Sequence, residues 1–348
     1  MLRRHLWWLA PLAGAAVAGA VVAAVSLGGS ASSHNAPPQT NHAHLRPAAA
    51  ALAFQRAITA VVRRLSPSVV QIQSSDGLGS GVVFDTNGDV VTNNHVVAGG
   101  GPYTVTAGAH TYGASLVGRF APDDLAVVRV SGAKLAPAAF ADSSKLAVGD
   151  FAIAIGNPLG LKSSVTDGIV SQFRPGVSEG NGVALPLMIQ TSAAINPGNS
   201  GGALADLQGR VIGIPTLAAT DPQLGGTAAP GIGFAIPSNL VKDIATQIIR
   251  FGHVTNSHRA YLGVQIGNTN GVGVLVLGVT KGGPADKAGL VANDLITSVN
   301  GTKTPTLDDL TSALSEIKPG KTVAIDVVTQ SGAHKTLHVT LETFPGTG

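Results

Sequence analysis

Ser200 lies in a segment whose residue types suit either nucleophilic chemistry or a tight turn. The segment reads NPGNSGG over residues 196–202, so the serine stands among glycines and asparagines and follows a proline. Turns select these residue types, and the segment taken alone favours a turn over a nucleophile. A serine hydroxyl attacks a carbonyl carbon only when a base accepts its proton. The chemistry therefore depends on what the rest of the chain supplies.

A histidine and two aspartates upstream can supply the base and the acid that orients it. His95, in VTNNHVVAG, follows a predicted strand, and Asp123 and Asp124 precede another in APDDLAVVRV. The carboxylate would fix the tautomer of the histidine and stabilise the imidazolium that forms. Taken individually, His95 could equally be an ordinary core or surface histidine, and each aspartate an ordinary solvated turn residue. Their order along the chain, His–Asp–Ser, is that of the chymotrypsin-like arrangement, and no G-x-S-x-G elbow surrounds Ser200.

The glycines around the serine have a purpose in acyl transfer. Negative charge develops on the former carbonyl oxygen in the transition state, and backbone N–H groups stabilise it. We predict that Gly198, Asn199 and Ser200 form this oxyanion hole, with the amides of Gly198 and Ser200 converging on the oxygen. A glycine at 198 permits a backbone conformation that a side chain would hinder.

The composition predicts a mainly β protein of roughly two domains. The chain has 348 residues, of which 44% are hydrophobic and 12% charged, with 45 glycines and 20 prolines. Short apolar runs continue to about residue 237, separated by turn residues, and this rhythm predicts an antiparallel sandwich or barrel. Helical spacing appears at residues 51–65 and 238–251, and a second unit that begins at Tyr261 mixes strands with short helices.

Charge and cysteine content exclude several classes of site. The formal net charge is +3 and no basic run is interleaved with aromatic residues, so no nucleic-acid footprint is present. The chain has no cysteine, which excludes disulfides and thiolate metal sites. His34, His42 and His44 belong to a small-residue, proline-bearing linker and are expected to be solvated. The glycines of GLGSG at 77–81 lack dinucleotide-binding spacing.

The N-terminus predicts export. Leu6 to Leu27 contains no charged residue and is long enough to span a bilayer as a helix. Arg3 and Arg4 precede it, so the rest of the chain is expected outside the cytoplasm. A cleaved signal peptide is the alternative, with a small-residue site at Gly29–Ala31. The length of the apolar run favours a retained, single-pass anchor; under either interpretation the remaining chain is exported.

These motifs resemble the HtrA (DegP/DegS-like) family of serine proteases. TNNHVV, DLAVV, IGNPLGL, QTSAAINPGNSGGAL and GIGFAIPSNL are similar, in order, to the signatures of its protease domain, and YLGV, GPADKAGL and NDLITSVNG to those of its PDZ domain. The resemblance covers about residues 55–343. It implies a trypsin-like double β-barrel, an α+β PDZ domain, a triad of His95, Asp124 and Ser200, no cofactor, and assembly into homotrimers. It also selects Asp124 over Asp123.

The same resemblance implies a specificity pocket and shows two departures from the family pattern. Ile195, Ile214 and Ala218 are expected to line the pocket, which would accept a small aliphatic side chain before the cut. Ser192 stands where family members usually carry an aspartate, and Pro215 where an asparagine is common. Proline removes a backbone donor near the strand expected to pair with substrate.

A second binding site is expected in the PDZ domain. Leu262, Gly263 and Val264 resemble its carboxylate-binding loop, whose N–H groups receive a peptide C-terminus while the next strand adds the peptide to the sheet. Leu310 and Leu314, four residues apart on a helix, are expected to line the groove. Packing into the core is the alternative for these two leucines.

Together these features predict an exported serine endopeptidase that cuts unfolded or misfolded proteins and is regulated by peptide binding. A dormant peptide-binding scaffold or holdase chaperone is the alternative. We expect a cytoplasmic segment at residues 1–5, a membrane anchor or signal peptide at 6–27 and a flexible linker at 28–50. A protease domain should follow at 51–254, and a PDZ domain at 255–345.

Overall fold

A computed structural model describes most of the chain beyond the linker. The described residues are 49–157, 164–175, 177–178, 184–185, 187–196, 198–221, 227–268 and 271–346. The predicted anchor at 6–27 and the linker histidines lie outside them. Within the described residues, no helix combines the length and apolar character needed to cross a bilayer.

The first strands form an antiparallel barrel. They are β1 (Val69–Gln73), β2 (Leu78–Val83), β3 (Asp89–Thr92), β4 (Tyr103–Ala107), β5 (His110–Phe120) and β6 (Leu125–Val130). The barrel closes in the order β1-β2-β3-β6-β5-β4. Valines and isoleucines fill its interior, as β-branched residues do on a half-buried pleated surface. The prediction of a strand-rich barrel is confirmed.

The following strands form a second barrel. The strands in chain order are β7 (Phe151–Gly156), β8 (Ser164–Arg174), β9 (Val177–Ser178), β10 (Ala184–Leu185), β11 (Met188–Thr191), β12 (Ala203–Ala205), β13 (Val211–Asp221) and β14 (Thr227–Pro237). Six of them close in the order β11-β14-β13-β12-β7-β8, and β9 pairs with β10 beside the barrel.

Two helices cover the junction between the barrels, and a third packs on the first barrel. In chain order they are α1 (Ala49–Leu65), the short α2 (Asn94–Val97) on the first barrel, and α3 (Ser238–Phe251). Helix α1 begins at Ala49, slightly before the predicted end of the linker at residue 50. Apolar residues of α1 and α3 join residues of both barrels in one buried cluster. The two barrels therefore share a hydrophobic core.

The remaining residues build a separate α+β layer. Its elements are β15 (Ala260–Tyr261), β16 (Val264–Asn268), β17 (Val274–Val279), α4 (Pro284–Lys287), β18 (Leu295–Val299), β19 (Thr302–Lys303), α5 (Leu307–Ser315), β20 (Thr322–Val328), β21 (His334–Thr340) and β22 (Glu342–Thr343). The sheet order is β16-β17-β18-β20-β21, so β16 is an edge strand. Thr306 and Asp309 form a capping box that begins α5.

Aromatic packing joins this layer to the barrels. Phe344 lies edge-on to Tyr261, with ring centroids 5.5 Å apart, and to Phe120 of the first barrel at 6.3 Å. The backbone N–H of Phe344 donates to the carbonyl of Arg259 at 2.8 Å. The C-terminal end of the described chain therefore packs against the start of the second unit.

Candidate active site

The structure brings His95 and Asp124 into direct contact. Nδ1 of His95, on α2, lies 2.9 Å from Oδ2 of Asp124, which precedes β6. The backbone N–H of His95 donates to the other carboxylate oxygen at 3.0 Å. The Asp124 side chain is only 3% exposed, whereas that of His95 is 50% exposed. An Nδ1–H that donates to the carboxylate leaves the lone pair on Nε2, as a general base requires.

The backbone of Asp124 is also held in an unusual conformation. Its φ of 50° and ψ of 41° lie in the left-handed region, which is uncommon for a residue with a side chain. The backbone N–H of Asn94 and the side-chain Nδ2 of Asn93 both donate to the Asp124 carbonyl at 3.0 Å. The asparagines of TNNH therefore stabilise the turn that presents the carboxylate to the histidine.

Asp123 is engaged elsewhere. Its side chain is fully buried, and Oδ1 accepts a hydrogen bond from Nη1 of Arg259 at 2.7 Å. Burial raises the pKa of Asp123, although the neighbouring Arg259 acts to lower it. Of the two aspartates that the residues alone left open, the structure brings Asp124 to His95 and pairs Asp123 with the arginine before β15.

Thr216 is a site residue that the sequence reasoning missed. Its hydroxyl donates to Oδ2 of Asp124, and the residue is 5% exposed in β13 of the second barrel. The carboxylate therefore accepts hydrogen bonds from both barrels. A polar residue within the apolar strand sequence RVIGIPTLA was the available signal, because a buried hydroxyl needs a partner.

Ser200 lies on a turn that faces the same region. Its hydroxyl donates to the carbonyl of Thr216 at 3.1 Å, and its own carbonyl accepts the N–H of Ser80 at 2.9 Å. Gly79 separates this turn from the histidine turn. A Cβ at Gly79 would lie 2.6 Å from Val96, the neighbour of His95, and 3.3 Å from the Ser200 carbonyl oxygen. The missing side chain lets the two turns approach each other.

The predicted oxyanion hole requires one correction. Gly198 has φ +98°, a conformation that favours glycine, as expected. The N–H of Asn199, however, donates to the carbonyl of Asn196 at 3.0 Å and closes the turn, so Asn199 is not available as an oxyanion donor. Among the hydrogen bonds of the described residues, the amides of Gly198 and Ser200 donate to no protein acceptor.

The predicted pocket residues are only partly brought together. Ile195 is 7% exposed, and a Cβ at Gly233 would lie 2.4 Å from its Cγ1, so the isoleucine fills the space over that glycine. Ala218 pairs with Gly233 in the β13–β14 register. The side chain of Ile214 is fully buried and packs in the core shared by the barrels, while Ile195 belongs to another cluster; the pocket role of Ile214 stays a prediction.

The two departures from the family pattern have local roles. The hydroxyl of Ser192 accepts the N–H of Ile169 at 3.0 Å and ties its loop to β8. The carbonyl of Pro215 accepts the N–H of Gly201 at 3.0 Å. Pro215 has no backbone N–H, and it lies where the register between β13 and β14 shifts. Both residues therefore support the serine turn or the loop that leads to it.

The predicted carboxylate loop lies beside the free edge of the second unit. Gly263 has φ +79°, and the carbonyls of Leu262 and Gly263 accept the amides of Ala285 and Thr280 at 2.9 and 2.8 Å. Val264 begins the edge strand β16. These bonds fix the carbonyls of the loop to the rest of the domain. An edge strand such as β16 has unpaired backbone groups with which an added peptide can pair.

Leu310 and Leu314 occupy different environments. Leu314 lines a cavity of about 570 Å³ next to the carboxylate loop. Leu310 is fully buried in the core of the second unit and does not line that cavity, so the prediction of a groove role for Leu310 is wrong. The cavity is bounded from the second unit by Val264, Ile266 and Leu314, from the second barrel by Phe173 and Leu187, and from α3 by Leu240.

Comparisons with known proteins agree with both folded parts. Residues 79–214 match the model of a trypsin-like peptidase domain, and residues 260–341 match that of a PDZ domain. The solved structure of the HtrA-type protease AlgW with tripeptide is 32% identical, with a TM-score of 0.57, over 82% of this chain and 97% of that one. The chain belongs to the HtrA family of serine endopeptidases. A serine endoprotease from Yersinia pestis is 31% identical, with a TM-score of 0.55, over 82% and 97% of the two chains.

Relatives in this HtrA family also include longer proteins. Protease Do-like 1, chloroplastic, of Arabidopsis thaliana is 41% identical over 296 residues, which are 79% of this chain and 65% of the relative. A probable periplasmic serine endoprotease DegP-like of Chlamydia trachomatis is 39% identical over 279 residues, 77% of this chain and 54% of the relative. The chain thus spans about half to two thirds of these relatives.

In this HtrA protein, replacing Leu310 should mainly lower stability, whereas replacing Leu314 should mainly weaken peptide binding. Leu310→Ala leaves a cavity in the PDZ core and should lower the free energy of unfolding by about 2–5 kcal/mol. Leu314→Ala should cost less stability and weaken binding of a fluorescein-labelled decapeptide that ends in apolar residues. Urea unfolding and fluorescence anisotropy measure the two effects. Equal binding by the Leu314→Ala variant and the unmodified protein would contradict the groove assignment.

The Thr216 hydroxyl should contribute to the activity of the HtrA site. Thr216→Val removes the hydrogen bond to Asp124 with little change in volume, and a bond to a charged group contributes about 1.5–3 kcal/mol. We therefore expect kcat/KM for a chromogenic peptide to fall about 10- to 100-fold. Thr216→Ser keeps the hydroxyl and should retain most of the activity. Equal losses in both variants would indicate a packing role instead.

Proposed function

We propose that the protein is an exported serine endopeptidase that hydrolyses peptide bonds of unfolded or misfolded proteins. The observation that carries this proposal is the 2.9 Å contact between Nδ1 of His95 and Asp124, with Ser200 presented from the second barrel. His95 acts as the general base, Asp124 orients it, and Ser200 is the nucleophile. Membership of a serine endopeptidase family supports these roles.

The first half of the reaction forms an acyl-enzyme. The Ser200 hydroxyl turns from the Thr216 carbonyl toward Nε2 of His95, which takes the proton as Oγ attacks the substrate carbonyl carbon. The amides of Gly198 and Ser200 donate to the oxyanion of the tetrahedral intermediate. The C–N bond then breaks, and His95 gives its proton to the leaving amine.

The second half restores the enzyme. Water attacks the ester carbonyl and gives a proton to His95, and a second tetrahedral intermediate forms in the same oxyanion hole. Collapse of this intermediate releases the carboxylic acid product and returns the proton to Ser200. His95 needs the Nδ1–H tautomer in both halves, and the hydrogen bond to Asp124 supports that tautomer throughout.

The PDZ domain is proposed to bind peptide C-termini and to regulate the protease. The free edge of β16, the left-handed Gly263 and the adjacent cavity support this role. Residues from the barrels line the same cavity, so a bound peptide would meet both parts of the chain. The related AlgW has been solved with a tripeptide and with a decapeptide.

A fluorophosphonate probe and casein together test the catalytic proposal. The folded protein should be labelled at Ser200, with or without a PDZ-binding peptide, and should cleave unfolded casein. Ser200→Ala removes the nucleophile and should abolish both reactions while the fold is retained. Casein cleavage at equal rates by the two proteins would refute the role of Ser200. Binding of unfolded casein by unlabelled, inactive wild-type protein would support a dormant scaffold or holdase.

Export as a single-pass membrane protein and assembly into homotrimers complete the proposal. The uncharged segment Leu6–Leu27, which follows Arg3 and Arg4, supports export. A relative's name places that relative in the periplasm. Mass spectrometry of the mature protein tests both points. The denatured chain should retain residues 1–30 if the anchor is kept, and native spectra should give three times the chain mass. Loss of the segment would establish a cleaved signal, and a native monomer would refute the trimer.

A further inference from the structure

Ser80 makes polar contacts with both ends of the turn that carries the nucleophile. It lies in β2 of the first barrel and is fully buried. Its hydroxyl donates to the carbonyl of Gly198 at 2.6 Å and accepts the N–H of Asn157 at 2.7 Å. Its backbone N–H donates to the carbonyl of Ser200 at 2.9 Å, and its carbonyl accepts the hydroxyl of Thr92 at 2.7 Å.

These contacts restrain the peptide groups that flank the oxyanion donors. Because each peptide unit is planar, fixing a carbonyl fixes the orientation of the whole unit. The Ser80 hydroxyl fixes the unit between Gly198 and Asn199, and its N–H fixes the unit between Ser200 and Gly201. The unit that carries the Ser200 N–H lies between these two. The unit that carries the Gly198 N–H adjoins the first.

A hydroxyl suits this position because it donates and accepts at the same time. Gly156 lies on the other side of the turn, where an added Cβ would be 2.8 Å from the Gly198 carbonyl oxygen. The backbone is therefore packed closely around this carbonyl. Without the Ser80 hydroxyl, both the Gly198 carbonyl and the Asn157 N–H would lose the partner that they now have, and the carbonyl would lose the hydrogen bond that fixes its direction.

We propose that Ser80 is a positioning residue for the oxyanion hole and acts on it across the barrel interface. This inference rests on the proposed peptidase function. The oxyanion donors act on the transition state more than on the bound substrate, so disturbing them lowers kcat with little effect on KM. A residue that only stabilised the fold would not produce that separation.

Ser80→Ala tests the inference, with Ser238→Ala as the matched control. Ser238 is equally buried, and its hydroxyl donates to the carbonyl of Ala141 at 3.0 Å, at the start of α3. Loss of a whole oxyanion donor costs about 100- to 1000-fold in rate, so loosening the donors should lower kcat about 10- to 100-fold. KM for a chromogenic peptide should change less than about twofold. The control should keep the wild-type kcat.

A peptide boronate gives a second measurement, because its adduct with Ser200 places an oxygen where the oxyanion forms. Its affinity should fall in Ser80→Ala by about the same factor as kcat. Unchanged kcat and boronate affinity in folded Ser80→Ala would overturn the inference, as would a rise in KM alone. If Ser80→Ala does not fold, Ser80→Cys keeps the unbranched shape of the side chain in a somewhat larger group that is a weaker donor and acceptor, and it should have reduced kcat. A full kcat in Ser80→Cys would overturn the inference.

Failure of the proposed function has a different signature. Wild-type protein that neither cleaves casein nor reacts with the fluorophosphonate contradicts the peptidase proposal itself. Crystal structures of wild type and Ser80→Ala then decide the positioning role without activity. A Gly198 carbonyl that turns away from its wild-type direction supports the role, and an unchanged serine turn overturns it.

Discussion

The carboxylate of Asp124 is bound by groups from both barrels, and the geometry of the site depends on this shared attachment. His95 reaches it from α2 of the first barrel and Thr216 from β13 of the second. A buried carboxylate is costly unless hydrogen bonds compensate for lost hydration. Docking of the barrels that adds the Thr216 hydroxyl is therefore favoured over arrangements that leave the carboxylate with only the two donors of His95.

Close backbone contact makes this docking possible. The serine turn crosses β2 so closely that a Cβ at Gly201 would lie 2.1 Å from the Ser80 carbonyl oxygen. Gly201 also has φ +79°, so both space and conformation favour glycine there. Gly79 meets the histidine turn on one side and the serine turn on the other. The turn composition of NPGNSGG thus reflects the neighbouring strand as well as the turn itself.

The sequence predicted the parts of the site that belong to recognisable turns, and missed the contacts between distant strands. The His–Asp–Ser order could be read because each residue follows or precedes an apolar run. Thr216 binds Asp124 across 92 positions of the chain, and the Ser80 hydroxyl binds Gly198 across 118. No local period encodes such pairs. For Leu310, helical spacing placed the residue near Leu314 but could not distinguish the core from the groove.

The division of the proposed catalytic groups between two barrels has a consequence for biosynthesis. In the roles proposed above, the base and its partner, His95 and Asp124, belong to the part of the chain that is made first, whereas Ser200 and the rest of the serine turn come later and are bound by Ser80 of the first barrel. In a ribosome-bound chain with only the first barrel folded, the proposed base, His95, is in place, but the turn that carries Ser200 has not yet formed. The proposed peptidase activity would therefore arise only after both barrels have folded and docked, and this order would protect the nascent chain, itself an unfolded polypeptide, from cleavage by its own active site.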